Sequence, residues 1–263
     1  MRAATEAAAG GGAIYQVRGL TKRYGDRTVL DGVDFDVLRG ESLVIMGRSG
    51  SGKSVTLRQL DGLEPPDAGS VVFDGVDLAQ LDEKDVFPLR RRIAMLFQSG
   101  ALFDSMDVFE NIAFPLREHA GLGEEEIAAK VREKLGLVGL EGIEEKAPSA
   151  LSGGMRKRVA LARSLALDPD VVLFDEPTTG LDPITAASIG KLIRSTQREL
   201  RVTSVVVTHD IALARHVGDR MIFLADGSFA FVGTWEEADR SPDPLLGRFL
   251  AGEADPEEDH AAA

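Results

Sequence analysis

Gly47-Arg48-Ser49-Gly50-Ser51-Gly52-Lys53-Ser54 fits the spacing G-x-x-x-x-G-K-[ST], and each part has a chemical reason. Glycines let successive backbone N–H groups turn inward around phosphate oxygens with no Cβ in the way. A helix opening at the same point adds the positive end of its dipole. Lys53 is the side chain that reaches β- and γ-phosphates, and the Ser54 hydroxyl is a ligand for their Mg²⁺. A triphosphate site also needs a metal-holding carboxylate at the end of another buried strand. Val171-Val172-Leu173-Phe174-Asp175-Glu176 supplies two acids there. Asp175 is the candidate for the Mg²⁺ sphere, through water. Glu176 points differently because strand side chains alternate, and is the candidate base or water-orienting group. Standing alone, adjacent acids at a strand end read as a solvated edge; with a phosphate loop in the same chain they read as catalytic.

These residues need a frame. Residues 14–17 and 29–37 read as strands, the second alternating Val33, Phe35 and Val37 with Asp34 and Asp36. Residues 43–46 form a short apolar run that ends at the phosphate loop and suits a strand buried on both faces. A helix is predicted over 53–61, and further strands over 71–73, 93–97, 171–174 and 205–207. Between Gly123 and Val138, the residues Ile127, Val131, Leu135 and Val138 make one helical face, with Glu124, Glu125 and Glu126 in the first turn. Residues 181–200 are long enough for a crossover helix. Alternating strands and helices predict an α/β fold with a mainly parallel sheet flanked by helices.

Composition narrows the function classes. The chain has 263 residues, no cysteine and a net charge of −13. It has no apolar run near the roughly 18 residues that span a bilayer, so it is neither a channel nor a carrier by itself. Without cysteine there are no disulfides, thiolate metal sites or thiol nucleophiles. No His/Asp/Glu cluster suggests a zinc site, so the expected metal is the nucleotide's Mg²⁺. The acidity argues against nucleic acid as a partner. Five of those charges (Glu253, Asp255, Glu257, Glu258 and Asp259) sit in the C-terminal tail, and removing them still leaves −8. Residues 1–13 read as an Ala/Gly-rich disordered leader without the apolar core of a secretory signal.

Leu151-Ser152-Gly153-Gly154-Met155 opens a helical pattern just upstream of the acidic strand and resembles the LSGGQ signature of ATP-binding cassette (ABC) ATPases. Further pieces follow in that family's order. Tyr24 resembles the A-loop aromatic that stacks on adenine, although a packing role near a strand end is its plain alternative. Gln98 resembles the Q-loop glutamine, set by the γ-phosphate and its metal. Gly180-Leu181-Asp182 resembles the D-loop and His209 the switch histidine, though alone His209 would read as a surface residue. The resemblance implies a P-loop NTPase, with the ABC-ATPase core, a small antiparallel β subdomain and an α-helical signature subdomain. It places the ATPase domain at 14–238, the helical subdomain at about 99–165 and a C-terminal extension with the acidic tail at 239–263.

It also implies a head-to-tail pair with ATP sandwiched between copies. The phosphate loop of one copy faces Ser152, Gly153 and Gly154 of the other. Asp182 crosses to the partner copy, Glu176 polarises water, His209 contacts the γ-phosphate, and Arg48 is a phosphate neighbour. ATP and Mg²⁺ are the implied ligands, and the implied place is the cytoplasmic face of the inner membrane, on an integral-membrane permease.

The signature's Met155, in place of Gln, is similar to the ATPases of Mla/MCE-type lipid transporters, the MlaF-like and Mkl-like group. Residues 96–116, LFQSGALFDSMDVFENIAFPL, resemble the same group, as does the shorter run 244–250. That resemblance adds an MCE-domain lipid-binding protein and a small STAS-type subunit as partners. An importer ATPase for amino acids or another small solute shares every catalytic motif and is the alternative. A soluble cassette ATPase acting on DNA or ribosomes is disfavoured by the single cassette and the acidic charge. Five of the twelve Phe lie between Phe87 and Phe114, and most of them are expected to fill the helical subdomain's core. Were Leu102 and Phe103 exposed, they would make an apolar cleft for a coupling helix of the permease.

Overall fold

A computed structural model of the chain describes residues 12–253. The leader expected over 1–13 lies outside the described residues except for Gly12 and Ala13, and Ala13 already belongs to the first strand. The acidic tail after Glu253 also lies outside them. In chain order the strands are β1 (Ala13–Tyr24), β2 (Arg27–Leu38), β3 (Ser42–Gly47), β4 (Ala68–Phe73), β5 (Val76–Asp77), β6 (Ile93–Leu96), β7 (Val171–Asp175), β8 (Thr203–Val207), β9 (Arg220–Ala225) and β10 (Ser228–Thr234). The helices are α1 (Lys53–Leu60), α2 (Glu83–Arg90), α3 (Val108–His119), α4 (Glu124–Leu137), α5 (Gly153–Ser164), α6 (Pro183–Leu200), α7 (Ile211–Val217), α8 (Trp235–Asp239) and α9 (Pro244–Ala251).

Two sheets result. The larger has the order β10-β9-β3-β8-β7-β6 and is parallel from β9 to β6, with β10 antiparallel at one edge. The smaller, β2-β1-β4-β5, is antiparallel. Every residue of β3 is buried, as expected for a central parallel strand covered on both faces. Alternation along the strands then sorts the core into two halves. Val44, Met46, Val172, Phe174, Met221 and Phe223 face α5, α6 and α7. Leu43, Ile45, Val171, Leu173, Ile222 and Leu224 face α1 and the antiparallel sheet. Tyr15 joins these two layers: fully buried, it tilts on Phe73 with ring centroids 4.9 Å apart and donates its hydroxyl to the Leu60 carbonyl of α1 at 2.9 Å.

The helical face from Ile127 to Val138 forms α4 and is buried as the periodicity predicts. It packs with α3 and α5 in one layer. The phenylalanines do not follow expectation. Phe87, Phe97, Phe103 and Phe114 are all exposed, and only Phe109 is half-buried against the core. Buried Asn111 explains Phe103: its carboxamide accepts from Phe103 N–H at 2.9 Å and donates to the carbonyls of Phe103, Met106 and Asp107. The loop is thereby tied to α3 by its backbone, with the Phe103 ring turned outward while Leu102 stays half-buried against the core. Phe103 meets Phe114 edge-on at 5.3 Å, and the Arg163 guanidinium lies 5.5 Å from its ring. The run 244–250 forms most of α9, which packs on the sheet through buried Leu246 and through Phe249, 4.8 Å from Phe223.

One buried acid makes the fold sensitive to pH. Asp61, the C-cap of α1, is 7 % exposed, and burial pushes its carboxyl up to about 7 with Arg90 opposing. A carboxyl with a higher pKa folded than unfolded stabilises below its unfolded value, and that contribution is lost as pH rises through the folded value. Asp61→Asn carries no charge at either extreme. Denaturant unfolding is expected to match wild type at pH 4 and to exceed it at pH 8 by about 2–4 kcal/mol. Equal differences at the two pH values would refute a buried charge at Asp61.

Candidate active site

β3 runs into the phosphate loop and α1 starts at Lys53. Two glycines make that turn possible. Gly47 has φ 155, and a Cβ there would lie 2.3 Å from the Leu224 carbonyl oxygen. Gly52, the N-cap of α1, has φ 108 in the left-handed region, and a Cβ would press on Val29 at 3.0 Å. Lys53 is 7 % exposed and its Nζ donates to the carbonyls of Gly47 at 2.9 Å and Arg48 at 2.8 Å. The ammonium is thus anchored inside the loop. Burial lowers its pKa, and the carboxylates of Glu176 and Asp175 oppose that.

β7 lies next to β8, which in turn lies next to β3, so the strand ends converge. Asp175 Oδ1 accepts from the Ser54 hydroxyl at 2.8 Å. Burial raises the Asp175 pKa, and the Ser54 bond opposes the rise. A hydroxyl and a carboxylate in direct contact are hard oxygen donors, which suit Mg²⁺. No group of three acidic, His or Cys residues that could hold a metal occurs among the described residues.

Glu176 lies beyond β7, with φ 47, and its N–H donates to the Val207 carbonyl at 2.9 Å. This left-handed turn, rather than strand alternation, redirects its side chain. Its carboxylate is 13 % exposed and meets His209 Nδ1 at 2.9 Å. Thr179 and Thr208 add hydroxyl bonds at 3.4 and 3.5 Å.

Tyr24, Lys53, Ser54, Gln98, Glu176 and His209 line one cleft of about 690 Å³, with Ser49, Gly50 and Gly52 beside them. The sequence reading had not marked Arg27 or Thr179, which line it too. Tyr24 is 43 % exposed and donates its hydroxyl to Glu64. Arg48 and Ser51 line a different cavity, on the other side of the loop, with Leu245 and Arg248 of α9.

The signature stands apart. Ser152 caps α5 by accepting from Met155 N–H at 3.3 Å. A Cβ on Gly154 would lie 2.6 Å from Thr185 Cγ2 and one on Gly153 3.2 Å from Leu181 Cδ2, so the paired glycines let α5 start against α6. Asp182 caps α6, accepting from Ile184 and Thr185 N–H at 3.0 Å. No residue of the signature lines the phosphate-loop cleft. Sequence reasoning also missed Lys157, a buried residue of α5 whose Nζ donates to the Gln98 carbonyl. Its place between Arg156 and Arg158 hid it, since only packing tells which of three adjacent bases turns inward.

The family model for ABC transporter matches residues 30–179. The chain belongs to the ABC transporter family. Among relatives of this ABC ATPase, the probable ribonucleotide transport ATP-binding protein mkl of Mycobacterium leprae is 44% identical over 241 residues, 92% of this chain and 70% of that one. The intermembrane phospholipid transport system ATP-binding protein MlaF of Haemophilus influenzae is 43% identical over 242 residues, 92% of each chain. The dimeric ATP-binding cassette MJ0796, in a post-hydrolysis state with ADP and Pi, superposes with a TM-score of 0.76 at 35% identity, over 84% of this chain and 98% of that one. The fold is that of an ABC-ATPase cassette with the P-loop core. No helix among the described residues is long and apolar enough to cross a membrane.

Proposed function

We propose that this ABC ATPase drives a lipid transporter of the Mla/MCE type, docked peripherally on a permease at the cytoplasmic face of the inner membrane. Phospholipid is the cargo class. The observation that carries this reading is the MlaF likeness over 92% of both chains. The exposed Phe97, Phe103 and Phe114 add to it, since they give α3 and the loop before it an apolar surface for a permease helix. An MCE-domain protein and a STAS-type subunit complete the assembly. Purification from membranes tests this: an MCE-domain partner with bound phospholipid is the expected result. A soluble amino-acid-binding protein in its place would support the small-solute importer.

The residues divide the chemistry as follows. Lys53 and the loop amides bind the β- and γ-phosphates, and Tyr24 faces the base. Ser54, Asp175 and Gln98 hold Mg²⁺, which when bound neutralises charge on the phosphates. Glu176 orients the attacking water and accepts its proton, and His209 positions Glu176 through Nδ1. The γ-phosphate still needs donors on its far side, and the Ser152 hydroxyl and the Gly153 and Gly154 amides of a second copy offer them. Lys157 ties the signature helix to the Gln98 segment, so closure of the pair is felt at the phenylalanine surface. The ATPase domain takes in 14–238, with the helical unit at about 99–165 and the C-terminal extension at 239–263.

Met155 is half-buried against the core between α5 and its neighbours, and its contribution at the helix cap is its backbone N–H. Met155→Gln is therefore expected to leave ATP hydrolysis within about tenfold of wild type, or about 1.4 kcal/mol. A steady-state ATPase assay showing a much larger loss would give the thioether a direct role.

A further inference from the structure

The cavity across the phosphate loop from the nucleotide cleft measures about 700 Å³. Residues 48–51 of the loop form one wall, the start of β2 and the turn between β9 and β10 form the next, and Leu245 and Arg248 of α9 close it. Its charge runs against that of the molecule. The chain carries −13, yet Arg27, Arg48 and Arg248 line this cavity with Asp226 as its one acid. Arg27 is exposed and spends one N–H, from Nη2, on the Gly50 carbonyl at 3.2 Å. Arg248 is half-buried, with its Nε sealed off and its two Nη groups not. Neither Arg27 nor Arg248 forms an ion pair with a described residue. A guanidinium carries five N–H donors in a fork that fits a carboxylate, so most of this capacity is unspent.

The nearest source of carboxylates is the chain itself. α9 ends at Ala251, and Gly252, with φ 72, turns the backbone so that the Glu253 N–H donates to the Arg248 carbonyl at 3.0 Å. The chain thus leaves the described residues beside Arg248, at the edge of the cavity. Residues 254–263 follow and hold Asp255, Glu257, Glu258 and Asp259 with no Lys or Arg. Fully extended, such a segment reaches up to about 33–36 Å, more than enough to cross the cavity. A tether this short also keeps those acids at about millimolar effective concentration beside the arginines, which a free anion would have to match.

We propose that this cavity is the docking site of the chain's own acidic C-terminal segment, residues 254–263, whose carboxylates pair with Arg27, Arg48 and Arg248 of the same copy. Docked there, the segment latches α9 to the back of the phosphate loop.

The chain has no cysteine, so two introduced ones report only on each other. Thr28→Cys puts one at an exposed position on the cavity wall, and Ala261→Cys puts the other in the segment without removing an acid. The full chain is oxidised at micromolar concentration without nucleotide, and the cyclised product is followed on non-reducing gels. An intrachain disulfide is the expected result. Asp255→Asn, Glu257→Gln, Glu258→Gln and Asp259→Asn together keep the length of the segment and touch nothing in the described fold, so they separate docking from mere nearness. With them the disulfide is expected to form about tenfold more slowly, as it is in salt high enough to bring the Debye length to about 3 Å. Arg248→Gln is expected to slow it as well. Cyclisation of the neutralised segment within threefold of the acidic one overturns the proposal. So does a disulfide-linked dimer as the main product, which would put the segment on a second copy.

Discussion

Glu176→Gln is expected to slow ATP turnover by about 10²–10⁴-fold, the range for loss of a positioned general base, while ATP still binds. The substitution keeps the size of the side chain and its place in the left-handed turn after β7, where its N–H bonds to Val207. What it loses is the carboxylate's charge and its capacity as a proton acceptor. The carboxylate is held for that task from several sides, by His209 Nδ1 at 2.9 Å and by the hydroxyls of Thr179 and Thr208. The effect should therefore fall on kcat, with KM for ATP little changed. With hydrolysis slowed, the sandwich pair persists. Size exclusion with ATP and Mg²⁺ should show a species of twice the chain's mass for Glu176→Gln, reverting on nucleotide removal. A variant that stays monomeric under those conditions, or hydrolyses ATP near the wild-type rate, refutes the assignment.

Lys53→Ala is expected to lower ATP hydrolysis by about 10²–10³-fold through loss of a preorganised cation at the transferring phosphate. The Nζ is buried and bonded to two loop carbonyls, so little reorganisation is needed when phosphate arrives. Those same bonds also brace the loop, and a structural role must be separated from an electrostatic one. Calorimetric titration with AMP and with an ATP analogue does so. If Lys53 acts on the β- and γ-phosphates, affinity for the ATP analogue collapses and affinity for AMP is kept. Equal losses for both would mean that the loop itself has fallen apart.

Much of this was open to reading from residue order. The phosphate loop, the acidic end of β7 and the signature are local devices: each needs particular residues at fixed offsets because each uses consecutive backbone groups. Periodicity likewise placed α4, whose Ile127, Val131 and Leu135 are all buried, and the fully buried β3. The resemblance of the 244–250 run implies an extension toward a partner ATPase, and its docking on Phe223 of its own chain depends on a strand about twenty residues upstream. The exposed phenylalanines were misassigned for a similar reason. Aromatic residues near a helical unit are usually core, and nothing local reveals that buried Asn111 ties down the preceding loop with its Phe103 ring outward.

Residue order alone carries the motifs of the chain: a phosphate loop, an acidic strand end and a signature at a helix start, in the order of an ABC ATPase. Tertiary packing decided where those pieces face. It paired His209 with Glu176 and Ser54 with Asp175, turned Lys157 inward to the Gln98 carbonyl, and kept the signature out of the phosphate-loop cleft. It also gathered Arg27, Arg48 and Arg248 around one cavity behind the phosphate loop. Motif chemistry follows from neighbours in the chain, whereas burial and contact depend on segments brought together across the whole fold, which no local pattern encodes.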